Sequence, residues 1–271
     1  MRSDTTTIRA VLFRCTRRIL PHIPQVLRFW RWGLRIVILW IILGQLSPVG
    51  QRLYPDSRQV VDTLQPQVCV HTNLTNEVDE WKIRQSLQLI REMGATTIVE
   101  FFPWAYFEPA NDHYNWHQAD LVVRHAENQG LHIIARMGFV PAWARPDNTT
   151  FNYLPDESFA DFADFVAVFA ARYAGTINHI ILWNEPNLAF EWGYQEIDPA
   201  RYVRLLQAVY QPVHAANPNV IILAGALAPT LEPSGSLNGL NDLLYLEGLY
   251  TAGFANYFDA LAVTQALGPL Q

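Results

Sequence analysis

The chain has 271 residues, of which 50% are hydrophobic, 13% aromatic and only 16% charged. That apolar content excludes a disordered tail and suffices for one large core or two small ones. Nine Trp, eleven Tyr and fourteen Phe beside so few charges fit a large core with an aromatic-lined cleft. Cys15 and Cys69 have no partners at metal-ligand spacing, which excludes zinc ribbons and disulfide-dense scaffolds.

Charge is unevenly distributed. Residues 1–52 carry nine of the nineteen basic residues against a single acid, Asp4, a local charge of +8, while the remainder carries -14 and one lysine, Lys82. An acidic body of this kind has no electrostatic footprint for nucleic acid. The basic stretch ends at Arg35 and runs into the uncharged segment Ile36 to Gly44. Nine residues are short of the roughly 20 that span a hydrocarbon core but match the apolar region of a signal peptide. Extended from Trp32 to Gly50, the segment reaches bilayer length if Arg35 snorkels and Gln45 is tolerated. A cleaved signal and an uncleaved anchor are both consistent with this pattern. In either case eight arginines ahead of the run place the N-terminus inside the cytoplasm and the acidic body outside. A helix buried in the domain is the plainer alternative, and Pro21, Pro24 and the arginines argue against it. The expected organisation is a basic signal or anchor segment over 1–50, a linker over 51–65, and one catalytic-type domain over 66–271.

In that domain strands and helices alternate. The first strand is Val68 to Val70, followed by a helix from Asp79 to Met93 with apolar positions at Trp81, Ile83, Leu87 and Ile90, stopped by Gly94. Thr96 to Phe102 is the second strand, Trp116 to Asn128 its helix, and Leu131 to Arg136 the third strand. Glu157 to Tyr173 is a helix whose Phe159, Phe162, Phe165 and Phe169 form one stripe. Ile177 to Trp183, Val220 to Ala224 and Phe258 to Val263 are the fourth to sixth strands, separated by helices over Pro199 to Ala216 and Asn241 to Ala252. Near-continuous apolar strands, each followed by an amphipathic helix, mean a parallel sheet covered by helices, either doubly wound or closed as a barrel. Val70-His71-Thr72-Asn73 stands where a Gly-rich phosphate loop would be, and long aromatic segments follow the second and third strands. Both facts favour a (β/α)8 barrel, of which six of the eight βα units are present.

The richest stretch for chemistry is Trp183-Asn184-Glu185-Pro186-Asn187. A strand delivers Asn184 and Glu185 to its C-terminal end, where barrel enzymes hold their catalytic groups. A carboxyl against Trp183 loses hydration, which favours its protonated form and suits a general acid. The plainer reading of Asn-Glu-Pro is a turn that starts a helix. Trp104, Tyr106, Trp143, Trp183 and Trp192 offer flat faces for sugar rings, with ordinary packing as the alternative for each. Arg136 is placed to reach a substrate, to orient Glu185, or to make a structural ion pair. Glu100 is read as a sugar contact or a surface charge, and His71 and Asn73 face the same side. His113 and His117 are four apart without a third ligand, so neither a metal nor a cofactor is expected. Asn73-Leu74-Thr75 and Asn148-Thr149-Thr150 fit the glycosylation acceptor pattern.

On these motifs the chain resembles the clan A glycoside hydrolases, retaining (β/α)8 enzymes that include cellulase-like and xylosidase-like families. The resemblance covers about residues 66–271. It is carried by Trp183 to Asn187, by Phe102-Pro103-Trp104 with Glu108-Pro109 and Tyr114-Asn115-Trp116, and by Phe258 to Val263. It implies that Glu185 is the general acid/base and Asn184 a ligand of the substrate 2-hydroxyl. Thr264-Gln265-Ala266 stands where these families have His-x-Tyr. Their nucleophile lies at the end of a seventh strand, so it is expected outside this sequence, as in a C-terminally truncated barrel. The expected activity is retaining hydrolysis of an oligo- or polysaccharide. The rival is an inactive, surface-held carbohydrate-binding protein. Membrane contact is expected through the N-terminal segment alone, and the pattern sets neither oligomeric state nor sugar.

Overall fold

The computed structural model describes residues 33–38 and 58–263. The chain divides into two units, Met1–Asp56 and Ser57–Gln271. Of the first, only a helix over residues 33–38 is described. Most of the expected signal or anchor run therefore lies outside the described residues, as do Thr264-Gln265-Ala266. Among the described residues no helix is long and apolar enough to cross a membrane.

The described residues of the second unit form six strands: β1 (Cys69–Thr72), β2 (Thr97–Pro103), β3 (His132–Gly138), β4 (His179–Leu182), β5 (Ile221–Leu227) and β6 (Ala260–Val263). All neighbours are parallel and the spatial order is β1-β2-β3-β4-β5-β6. A doubly wound sheet reverses its strand order at a switch point. This one never does, so the winding is that of a barrel wall. The structure is a parallel α/β half-barrel of six strands.

The helices are α1 (Glu80–Glu92), α2 (Trp104–Phe107), α3 (His117–Asn128), α4 (Phe159–Arg172), α5 (Pro199–Ala216) and α6 (Asp242–Thr251). Local sequence explains their ends. Asp198 accepts a hydrogen bond from the Ala200 N–H at 2.9 Å with Pro199 at the first helical position, so α5 starts where the sequence says it should. Gly94 and Gly130, just past α1 and α3, take φ of 88° and 72°, the left-handed conformation that lets the chain leave a helix.

Alternation along the strands sorts side chains into two faces. Ile98, Phe102, Ile133, Ala135, Met137, Ile180, Leu182, Ile222 and Ala224 are buried in the layer between sheet and helices. The α4 stripe fills that layer: Phe162, Phe165 and Phe169 are fully buried, and the Phe169 ring meets Phe102 at 4.9 Å. Each such ring is worth about 1.5–3 kcal/mol of burial. On the other face Phe101 and Arg136 pair in register across β2 and β3. The last residues of the expected linker lie along the body, where the Gln59 N–H donates to the Asn128 carbonyl at 2.9 Å and Val61 packs on the core.

Candidate active site

The chain leaves β4 under strain. Trp183 and Glu185 both take positive φ, 73° and 41°, in the region that disfavours residues with a side chain, a conformation that costs about 1–3 kcal/mol per residue and persists only where surroundings enforce it. The enforcing contacts are visible. The Trp183 N–H donates to the Met137 carbonyl at 3.1 Å, and the Glu185 N–H to Ala226 at 2.9 Å. Behind them the buried Tyr202 hydroxyl donates to the Leu182 carbonyl and accepts from the Gly225 N–H, both at 2.6 Å. Gly225 is required there, because a Cβ would lie 2.8 Å from the Leu182 carbonyl oxygen. Asn187, fully buried, donates to the Ala228 and Leu240 carbonyls at 2.9 and 3.0 Å and accepts from the Ala228 N–H at 2.9 Å. This amide clamps the loop after β4 to the loop after β5.

Past the strand ends lies a cavity of about 320 Å³ whose lining includes Asn73, Phe101, Tyr106, Arg136, Trp183, Asn184 and Glu191. Arg136 stacks over the Phe101 ring, 4.7 Å from its centroid, and its Nη1 donates to Asn184 Oδ1 at 2.7 Å. Glu185 is not itself a lining residue; it is half-buried directly after Asn184, on the same strained turn. Burial raises its pKa, and the nearby positive charge of Arg136 only partly offsets this. Among the described residues no side chain or N–H donates to its carboxylate oxygens. A carboxyl with a raised pKa and open oxygens can give up a proton and take one back, as general acid/base chemistry demands.

Sequence reading and structure part company on several side chains. Arg136 and Asn184 are brought together at the cavity, with Tyr106 and Asn73; Trp183 also borders it, but its ring is buried against Phe162 and Trp192 and presents no flat face to a ligand. Trp104 and Trp192 are corrected: both are fully buried and present no face to a ligand. Trp104 donates from Nε1 to Glu108 Oε2 at 2.6 Å and stacks against Phe165, whereas Trp192 is wedged between Trp183 and Tyr202. Trp143 is half-buried, edge-on to Trp104 at 5.4 Å, with its Nε1 donating to the Glu108 carbonyl at 2.9 Å. It is not among the residues that line the cavity. Glu100 is neither a sugar contact nor a surface charge. Alternation turns it away from Phe101 and Arg136, and it is fully buried beneath the Leu74–Asn76 turn, accepting from the Thr75 N–H at 2.8 Å. His71 does not line the cavity, although burial and the charge of Arg136 lower its pKa.

The residue that sequence reading missed is Glu191. It lines the cavity on the same loop as Glu185, and burial, then the charge of Glu185, drive its pKa up, against hydrogen bonding from Asn184 and the charge of Arg136. Asn187, Tyr202 and Gly225 were also missed as supports. Asn187 closes the Trp183 to Asn187 motif and was the one with a signal. Among the described residues no group of three or more His, Cys, Asp or Glu could hold a metal ion.

Comparison with known proteins agrees with this geometry. Residues 74–181 match the Glyco_hydro_42 family, described as β-galactosidase. No curated protein matches the chain. Among solved structures, a family 39 glycoside hydrolase from the gut symbiont Bacteroides cellulosilyticus WH2 superposes with TM-score 0.59 at 22% identity, over 75% of this chain and 39% of that one. A monomeric β-xylosidase from Caulobacter crescentus CB15 gives 0.56 at 17% identity, over 76% and 43%. The xylanase XynB from Paenibacillus barcinonensis gives 0.52 at 13% identity, over 74% and 61%. The chain thus spans less than two thirds of each of these relatives. Over residues 74–181 the chain is thus similar to a family of glycoside hydrolases, and its fold is similar to that of these solved glycoside hydrolases.

Proposed function

We propose that this chain, alike in motif and fold to the clan A glycoside hydrolases, serves the retaining hydrolysis of O-glycosidic bonds, with Glu185 as general acid/base. The observation that carries the reading is the Glu185 carboxyl: held at the end of β4 on a strained turn, its pKa raised by burial, its oxygens without donors, beside a cavity with Asn184 and Arg136 in its wall. In the first step the protonated carboxyl gives its proton to the glycosidic oxygen as the C–O bond breaks and a carboxylate attacks the anomeric carbon. In the second it takes a proton from the water that displaces that carboxylate. The family resemblance assigns the attacking carboxylate to the end of a seventh strand, outside residues 58–263. Asn184, with its Oδ1 held by Arg136, is oriented to bind the sugar hydroxyl next to the reacting carbon. The basic N-terminal segment is proposed to direct export, with the acidic body outside.

The assay uses this chain and, where its reading frame continues past Gln271, the longer protein. Names of the relatives make p-nitrophenyl β-galactoside and β-xyloside the first substrates. Where the protein assayed supplies the attacking carboxylate, release of nitrophenol with retained anomeric configuration by NMR is expected, slowed by orders of magnitude in Glu185→Gln. Turnover unaffected by Glu185→Gln would overturn the assignment. Oligosaccharide binding without turnover, indifferent to that substitution, would establish the carbohydrate-binding rival.

A further inference from the structure

Resting on that reading, a second acid in the same cavity has no part in the two steps above. Glu191 lies six residues beyond Glu185, on the turn-rich segment that closes the cavity wall, and it is partly shielded from solvent. That segment is rigidly set. The Glu191 carbonyl accepts from Trp183 Nε1 at 2.8 Å, and Asn152 Nδ2 donates to the Phe190 carbonyl at 3.1 Å. Gly193 at φ 70° packs so closely on the preceding loop that a Cβ would fall 2.4 Å from Tyr153 Cα. The carboxylate is therefore presented by fixed backbone.

Its neighbours form a row of matched polarity. Arg136 donates to Asn184 Oδ1 at 2.7 Å, and Asn184 and Glu191 line the same cavity. Asn152 Nδ2 stands 3.5 Å from Glu191 Oε2. Arg136 can only donate and an ionised carboxylate can only accept, with the amide of Asn184 between them. A sugar hydroxyl both donates and accepts, so a pair of adjacent hydroxyls laid along this row finds an acceptor in Glu191 and donors in Asn184 and Arg136. Apolar Phe101 on the same wall suits the CH face of the ring.

We propose that Glu191 is a sugar-binding carboxylate, which accepts hydrogen bonds from hydroxyls of the bound ring and holds the Asn184 amide in the orientation that ring requires. It belongs to ground-state recognition rather than to proton transfer, and this separates it from Glu185. The test measures Kd for p-nitrophenyl β-galactoside and β-xyloside by quenching of tryptophan fluorescence, together with KM and kcat where turnover occurs. It compares the natural chain, Glu191→Gln, Glu191→Asp and Glu185→Gln, each with its thermal unfolding midpoint recorded. Glu191→Gln should weaken binding about 10- to 100-fold, equivalent to roughly 1.4–2.8 kcal/mol, in Kd and KM more than in kcat. Glu191→Asp, which keeps an acceptor one methylene further back, should recover part of the loss. Glu185→Gln should leave Kd within about threefold while removing turnover. Unchanged affinity in Glu191→Gln overturns the proposal even if Glu185→Gln abolishes turnover. Equal losses in Asp and Gln accompanied by lower unfolding midpoints reduce Glu191 to a structural residue. A natural chain that binds neither glycoside overturns this inference and the functional reading together.

Discussion

Glu108 lies in the loop after β2 and Glu185 in the loop after β4, and burial raises the pKa of both. Their surroundings differ. Glu108 is buried, with Oε2 accepting from Trp104 Nε1 at 2.6 Å and Oε1 from the Asp112 N–H at 2.9 Å. Its negative charge and that of Asp112, behind the effect of burial, help push the Tyr114 phenol up to about 12. Every donor around Glu108 is spent on tying the loop after β2 into the core. The pKa of Glu185 is raised in the same direction, with no such donors among the described residues. Desolvation alone therefore does not mark a reactive carboxyl; desolvation with unfilled acceptor sites does.

Substitution at each acid should separate the two roles. Glu185→Gln is expected to lower kcat about 10²- to 10⁴-fold, the range for loss of a general acid/base, with the unfolding midpoint unchanged. Glu108→Gln should do the reverse. Its amide would set an N–H against a donor in a buried site, at a cost of about 1–3 kcal/mol measured by denaturant unfolding. A large activity loss at normal stability in Glu108→Gln would erase the distinction.

Tyr202→Phe sharpens it further. Removing the hydroxyl orphans the Leu182 carbonyl and the Gly225 N–H behind the strained turn, again at about 1–3 kcal/mol. Because those groups brace the turn that carries Glu185, kcat should fall along with stability. Intact kcat in a destabilised Tyr202→Phe would show that the turn does not depend on this brace.

The smallest effect is expected far from the cavity, at Asp156. Burial is the largest single influence and raises its pKa, but the hydrogen bonds and charges of Arg201 and Arg204 together outweigh it and leave the pKa depressed. A depressed acid contributes stability above its ordinary pKa and loses it as pH falls through the folded value. Asp156→Asn should therefore cost no more than about 1 kcal/mol near neutral pH, a difference that closes as the medium is acidified below that value. A gap that widens in acid would reverse the sign.

Much of the barrel wall was legible because its signals are local and repeated. Apolar strands, amphipathic helices and stop glycines at Gly94 and Gly130 fix element type, and Asp198-Pro199 fixes the start of α5. Strand ends were less legible, since they depend on neighbours. β3 continues past Arg136 to Gly138, and β5 continues past Ala224 to Leu227 because Gly225 lets its backbone pass close to Leu182. Asn184, Glu185 and Arg136 could be read because strand ends place them on one rim. Nothing in a linear sequence shows that the rings of Trp104, Trp183 and Trp192 are consumed by packing on Phe165, Phe162 and Tyr202. Glu191 was invisible for a related reason. It lies in turns without periodicity, and only the packing of Gly193 on Tyr153 decides where its side chain goes.

The most direct measurement is the titration of Glu185 itself, followed by carbon-detected NMR of its side-chain carboxyl and assigned by its disappearance in Glu185→Gln. Burial without hydrogen-bond donors should hold the midpoint above the ordinary glutamate value of about 4.3, and the alkaline limb of kcat/KM should fall at that midpoint, since activity is lost as the acid deprotonates. A midpoint at or below the ordinary value would mean a well-solvated or well-paired carboxylate, and would contradict the assignment of Glu185 as the proton donor.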